Sequence, residues 1–369
     1  MQNPFTHAFG AKPTKYITST LTEEILENFS YPHPSERAYM LTGVRGSGKT
    51  VMMSTLARAL SEREDWVVYN LNATVDMVSQ LAAKLSAHPL CVKHLVKPKG
   101  VSISVASISV GIEYNNEKLF DIYTMISNMI ETLAAKNIKV MITIDDVMAN
   151  EEMKVFAHTF QQLLTDSRDL PIYLIMTGLY TNYRDIQNSE DFKGSTFLTR
   201  LLEREVEPLD ESQMAVSYYN TFDIDEAESI RLAKMTKGFA FAYQVLGYWY
   251  FEKYVNGKEE IKDIEMQYRS ELIKYCYAKL WSELSEKDML IVKAMATLGA
   301  DTKRIKRNDI MLYLESIGEG MKSTTFGTYK ERLVGKGIIA TSDNRDGLYW
   351  LTLPEFGNYV RLYHAEIDE

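Results

Sequence analysis

Gly43-Val44-Arg45-Gly46-Ser47-Gly48-Lys49-Thr50 brings together residue types that suit a polyphosphate. Glycines at 43, 46 and 48 let the backbone curl until successive N–H groups point inward, a concavity fitted to anions. A helix opening behind the curl adds unpaired N–H groups and a partial positive charge. The Lys49 ammonium has the reach for β- and γ-phosphates, and the Thr50 hydroxyl is a ligand type for Mg²⁺. The G-x-x-x-x-G-K-[ST] string carries this meaning only between a strand and a helix. Both are legible: Ala38 to Leu41 is a short apolar run, and Val51 to Leu60 reads as a helix. Residues 43–51 are therefore expected to cradle the phosphates of a nucleotide, with Thr50 on its metal.

Two carboxylates extend the pattern. Ile138 to Asp146, IKVMITIDD, is an apolar strand ending in acids. Asp145 is expected opposite Thr50, holding Mg²⁺ through its waters. Asp146 is then placed to orient or deprotonate an attacking water. Thr177 ends the strand PIYLIMT and is the candidate polar sensor beside the γ-phosphate.

These groups need a frame that sets their strand ends side by side. Further strands are expected at Trp66 to Leu71 and Glu203 to Leu209, with helices at Val75 to Ala87, Leu119 to Ala135 and Glu151 to Leu164. Strands alternating with helices specify a parallel α/β sheet, with ligand at the C-terminal strand ends. Ahead of it, Leu21 to Phe29 has helical spacing, with Thr22 as the expected N-cap before Glu23 and Glu24. Residues 100–114, GVSISVASISVGIEY, read as a hairpin or long strand, either inserted at the rim of the nucleotide domain or making a partner or DNA contact.

After Leu209 the pattern turns helical. It includes the apolar, tyrosine- and tryptophan-rich Phe239 to Phe251 and a long helix from Ile261 to Leu280. A third pattern starts near Leu284. Ser285 and Asp288 have capping-box spacing, and helices follow at Asn308 to Ile317 and Ser323 to Leu333, the last stopped at Gly335 and Gly337. Two alternating strands then flank Asn344-Arg345-Asp346-Gly347, a hairpin turn. Three helices followed by a hairpin are the layout of a winged helix-turn-helix. The expected domains are 1–209 for nucleotide binding, 210–282 as a helical subdomain and 283–369 as a winged helix.

Composition narrows the partners. With 369 residues, the chain exceeds one ordinary core. It is 46% hydrophobic and 25% charged, ordinary globular values. A net charge of −9 excludes a global basic field for nucleic acid, so any such contact is local. The local cations are Lys303, Arg304, Lys306 and Arg307, then Lys322, Lys330, Arg332 and Lys336 on the third helix, and Arg345 at the hairpin tip. Thr324, Thr325 and Thr328 stand among them, and acids are interspersed. Two readings stay open: duplex DNA contact through residues 303–345, or a module that packs on the rest of the chain or meets a protein. Cys91 and Cys276 have no metal-ligand spacing and read as buried thiols. The sequence starts without a basic-then-apolar leader and has no apolar run of membrane-spanning length. The expected place is the cytoplasm, with no membrane partner.

The order of these elements resembles the AAA+ ATPases of the origin-recognition and STAND-related kind. It most resembles a bacterial and archaeal group of ATP-binding proteins that carry an FG-x-x-P element near the N-terminus. The resemblance rests on Phe9-Gly10-Ala11-Lys12-Pro13, GVRGSGKT, the IDD at 144–146, TGL at 177–179, TFLTR at 196–200, GFAFAYQVLGY at 238–248 and YKERLVGKGII at 329–339. It implies a five-stranded parallel sheet, a helical lid with ATP and Mg²⁺ between them, and ATP hydrolysis. Arg200, just before the last strand, is the arginine-finger candidate, with Arg204 second. Acting in trans, it would require a homo-oligomer. Two departures bear on turnover. Asp146 stands where the family usually has Glu, and Gly238-Phe239-Ala240 stands where it usually has Gly-x-Pro, with no arginine before Tyr248. The resemblance therefore implies an ATPase acting on DNA or, as the alternative, a nucleotide-gated signalling switch that binds ATP with little turnover.

Overall fold

The computed structural model describes residues 1–7, 13–92, 122–192, 197–198, 201–342 and 347–364. The chain divides into two compact units: Thr20–Thr42 with Lys49–Glu205, and Met1–Ser19 with Gly43–Gly48 and Val206–Glu369.

The first unit is an α/β layer structure. Its elements are α1 (Thr20–Ser30), β1 (Ala38–Thr42), α2 (Lys49–Ser61), β2 (Trp66–Asn72), α3 (Met77–Ser86), α4 (Ile122–Ala134), β3 (Lys139–Asp145), α5 (Glu151–Leu164), β4 (Ile172–Thr177), α6 (Tyr180–Asn188) and β5 (Leu202–Glu205). The strands form one sheet in the order β2-β3-β4-β1-β5, every pair parallel. Helices cover both faces, so β1 and β4 are buried at every residue and read as continuous apolar runs. Met40, Ile142, Ile144 and Met176 pack with Leu133, Phe156 and Phe160. Tyr39 and Tyr173 meet Phe29 of α1 instead, with ring centroids 5.6 and 5.2 Å away. Leu41 is in register with Thr177, and Ile144 with Met176. This register brings the end of β3 beside the end of β4.

The second unit is helical, with a small sheet. It holds α7 (Glu211–Tyr219), α8 (Glu226–Thr236), α9 (Ala240–Tyr250) and α10 (Ile264–Leu272). These are followed by α11 (Ala278–Ser282), α12 (Glu286–Thr297), β6 (Ile305–Lys306) and α13 (Arg307–Ser316). The last elements are α14 (Ser323–Gly335), β7 (Ile339–Thr341), β8 (Leu348–Leu351) and α15 (Phe356–Tyr363). Single π turns follow α9, at Phe251–Val255, and α10, at Ile273–Tyr277. Side-chain caps explain several starts: Asp210, Asp225 and Asp263 accept from backbone N–H groups at α7, α8 and α10. The expected capping box of Ser285 and Asp288 opens α12. Strands β6, β8 and β7 form an antiparallel sheet in that order. The N-terminal arm belongs to this unit and buries Phe5 against Tyr218, Phe222 and Tyr243.

One half-buried ion pair gives this unit a pH dependence. Arg361 donates to Asp301 Oδ1 and Oδ2 at 2.8 and 2.7 Å, and to the Ala296 carbonyl at 2.6 Å. The Lys237 ammonium lies on the Asp301 carbonyl at 3.0 Å. The Arg361 hydrogen bonds hold the Asp301 carboxyl below its ordinary value, against the opposing effect of burial. A carboxyl depressed in the folded state adds stability that is complete above its unfolded value, about 3.9, and is lost as pH falls through the folded value. Urea midpoints should therefore drop as the pH falls below about 4. Arg361→Leu should flatten that limb, and parallel acid limbs in the two proteins would refute the assignment.

Several sequence expectations change. Thr22 is not an N-cap: α1 starts at Thr20, and the Thr22 hydroxyl is buried within its first turn with no hydrogen-bond partner. The last strand spans Leu202–Glu205 rather than running to Leu209, ending before Pro208, which has no N–H to offer a ladder. The third C-terminal helix runs through Gly335, and Gly337, at φ 65°, lies just beyond its cap. The expected hairpin gains a third strand, β6, and α6 and α15 were not anticipated. Phe9 to Lys12, the segment 100–114, Thr196, Arg200 and the turn residues Asn344, Arg345 and Asp346 lie outside the described residues. Among the described residues no helix is long and apolar enough to cross a membrane.

Candidate nucleotide site

The glycine loop joins β1 to α2. Ser47 N–H donates to the Val44 carbonyl at 3.2 Å, closing a turn inside it. Gly46 and Gly48 have φ of 90° and 98°, backbone that side chains rarely tolerate. Gly46 is also crowded. A Cβ there would sit 2.6 Å from the Phe239 ring, 3.0 Å from Cys276 Sγ and 3.1 Å from Phe241 Cβ. The Phe241 N–H, in the first turn of α9, donates to the Gly46 carbonyl at 3.0 Å. Val44 packs partly buried on the helical core. The Arg45 guanidinium lies 4.0 Å from Glu283, its Nε buried without a hydrogen-bond partner, as is Ser47 Oγ.

Lys49 is the first residue of α2, followed by Thr50 and Val51. In the α/β unit, Thr50 Oγ1 lies 3.1 and 3.0 Å from the two carboxylate oxygens of Asp145. Thr177 is buried at 1% exposure. Its hydroxyl donates to Asp145 Oδ1 and accepts the Asp146 N–H at 3.1 Å. Asp146 has φ 54°, the left-handed region that Asp tolerates better than most residues. That flip leaves its side chain exposed while Asp145 faces Thr50. Thr50, Asp145, Asp146 and Thr177 are thus brought together.

Other candidates are distributed differently. Arg204 is in register with Leu41 and donates to Glu24 at 2.5 Å, a tether between β5 and α1. Sequence reasoning missed the contact set on Gly46. Nothing local marks Phe239, Phe241 and Cys276 as its neighbours, although the resemblance had singled out the segment beginning at Gly238. It also missed the double role of the Thr177 hydroxyl, which depends on strand register.

No family model matches the sequence, and no curated protein matches it. Solved structures do. The chain is similar to a Walker-type ATPase of Pyrococcus abyssi, with 14% identity and a TM-score of 0.59 over 92% of this chain and 94% of that one. It is also similar to the ORC2 protein of Aeropyrum pernix, a structure of ADPNP–ADP complexes. There the identity is 13% and the TM-score 0.56, over 96% of each chain. The chain therefore shares the fold of these two proteins, a five-stranded parallel α/β sheet joined to a helical part.

Proposed function

We propose that this protein is an ATP-binding, Mg²⁺-dependent AAA+ ATPase whose helical lid and C-terminal winged helix respond to the nucleotide state. The observation that carries the reading is the Thr50 hydroxyl held 3.0–3.1 Å from both oxygens of Asp145, at the first turn of the helix that leaves the glycine loop. An all-oxygen pair of hydroxyl and carboxylate suits Mg²⁺, which keeps most of its waters. Thr50 and Asp145 would hold the metal, which when bound neutralises charge on the β- and γ-phosphates. The loop N–H groups and the Lys49 ammonium bind the phosphates. Thr177 fixes the Asp145 carboxylate, and the exposed Asp146 orients the attacking water. Arg200 is the proposed finger from a second copy. ATP as the base form is supported by the fold, which is shared with the nucleotide complexes of the Aeropyrum protein. Calorimetric titration with Mg-ATP, and with ATP plus chelator, tests it. Binding that depends on the metal is expected, and absence of heat with Mg-ATP overturns the reading.

A second reading, the nucleotide-gated switch with little turnover, draws on two features. The start of α9, its cap Phe239 and the first-turn Phe241, brings phenylalanines rather than an arginine to the loop, and Asp146 is a methylene shorter than Glu. Multi-turnover hydrolysis that rises with protein concentration selects the oligomeric ATPase. A single turnover independent of concentration selects the switch.

DNA is the proposed partner of the C-terminal module, through fewer cations than its sequence offers. Arg332 donates to Asp288, Arg307 to Ser323, and Lys336 to the Glu283 carbonyl, while Lys330 pairs with Glu331. Lys303, Arg304, Lys306 and Lys322 are exposed, and the Arg304 guanidinium lies 4.6 Å from the Trp350 ring centre. These four fit phosphate contacts rather than base readout. Anisotropy titrations on duplex DNA should show log K falling by about 0.9 per contacted phosphate with log salt. Alanine at 303, 304 and 306 should take most of that slope away. A salt-independent wild-type curve removes DNA from the account.

A further inference from the structure

Two consecutive residues of the π turn after α10 face different parts of the helical unit. Cys276 is buried against the glycine loop, its sulfur 3.0 Å from the place a Gly46 Cβ would occupy. Tyr277 is fully buried and points to the C-terminal segment. Its hydroxyl donates to the Pro354 carbonyl, and its ring lies 5.1 Å from Phe356 and 6.0 Å from Tyr359. One turn on, Trp281 stacks on His364 at 4.3 Å, which secures the far end of α15. On the loop side the Phe239 ring and the Phe241 N–H complete the grip on Gly46.

The packing leaves little slack. Gly46 has no side chain to absorb a shift, so any movement of its backbone meets Phe239 or Cys276 directly. Close-packed interiors transmit such strain rather than dissipating it, and single π turns are a recurrent feature of functional helices. We propose that the Ile273–Tyr277 turn is a relay. It couples the conformation of the phosphate loop, through Cys276 and Tyr277, to the docking of α15 in the C-terminal module. As a response to nucleotide it rests on the reading of the loop as a phosphate site; as a mechanical link it does not.

Hydrogen exchange on the full chain separates the two. Without nucleotide, Gly46→Ala should speed exchange of the Phe356–Tyr363 amides by about threefold or more, the lower end of coupling along packed networks. The α7 amides, in the same unit, should stay unchanged. On a Tyr277→Phe background the Gly46→Ala effect should vanish. If Gly46→Ala does not fold, Phe239→Leu perturbs the same contact from the other side, by loosening it, without backbone strain. Equal acceleration of α7 and α15, or no acceleration, overturns the relay. Adding Mg-ATP to wild type should then shift α15 exchange, and Tyr277→Phe should abolish the shift while still binding Mg-ATP. Mg-ATP that binds without moving α15 sinks the relay and leaves the phosphate site standing. A response to Gly46→Ala with no Mg-ATP binding sinks the phosphate site and leaves the relay.

Discussion

Lys49→Ala should cancel the stabilisation that Mg-ATP confers. A ligand at about 100 times Kd adds ~2.7 kcal/mol to the folded state. The lysine ammonium is the one mobile full charge that the motif directs at the β- and γ-phosphates, and hydrogen bonds to charged groups contribute about 1.5–3 kcal/mol. Losing it should weaken binding by roughly 10- to 150-fold. At the same ATP concentration, a 100-fold weaker site leaves only about 0.4 kcal/mol of stabilisation. Thermal melts of both proteins with and without Mg-ATP read this directly. The unliganded melts should differ by little, since Lys49 is partly exposed on the first turn of α2. A mutant that keeps the wild-type shift would show that the loop does not hold the triphosphate.

Phe5→Ala should cost the helical unit about 3–5 kcal/mol, the range for emptying a buried aromatic site. Phe5 is 2% exposed, between rings of Tyr218, Phe222 and Tyr243 at 5.5–5.8 Å. The α9 helix makes room for it at Gly247, where a Cβ would lie 2.5 Å from the Phe5 ring. Polar contacts hold the arm around this anchor. Gln244 accepts the Thr6 N–H at 3.1 Å and donates to the Lys15 carbonyl at 2.7 Å. Asn3 donates to the Tyr248 carbonyl and to Glu252 at 3.1 and 2.8 Å. These bonds hold the main chain in place, but they cannot refill the volume the ring leaves. The denaturant midpoint of this unit should fall, and protease should cut the arm sooner. A loss of less than about 1 kcal/mol would mean that the arm is not anchored by Phe5.

Much of the frame was legible because its signals are local. GVRGSGKT specifies its own turn, since the φ values found at 46 and 48 are ones that glycine takes readily and side chains rarely do. Ser285 and Asp288 bear the donor-acceptor chemistry that opens α12. The apolar strands were readable because a parallel sheet covered on both faces needs no alternation. Less legible were the ends of elements, where a neighbour decides. Thr22 has the chemistry of a cap, yet α1 begins two residues earlier. Strand β6 is two residues long and exists only because β8 pairs with it.

By itself, the order of residues determined that a glycine-rich loop is followed by a helix, that two acids end an apolar strand, and that three structural patterns succeed one another. Each follows from short-range stereochemistry or from the period of apolar side chains. The tertiary structure alone decided that Thr177 serves Asp145 and Asp146 together, that Arg332 and Arg307 are occupied inside the C-terminal module, and that Phe239, Phe241 and Cys276 close on Gly46. Those facts depend on strand register and on contacts between residues far apart in the chain, and no local preference encodes either.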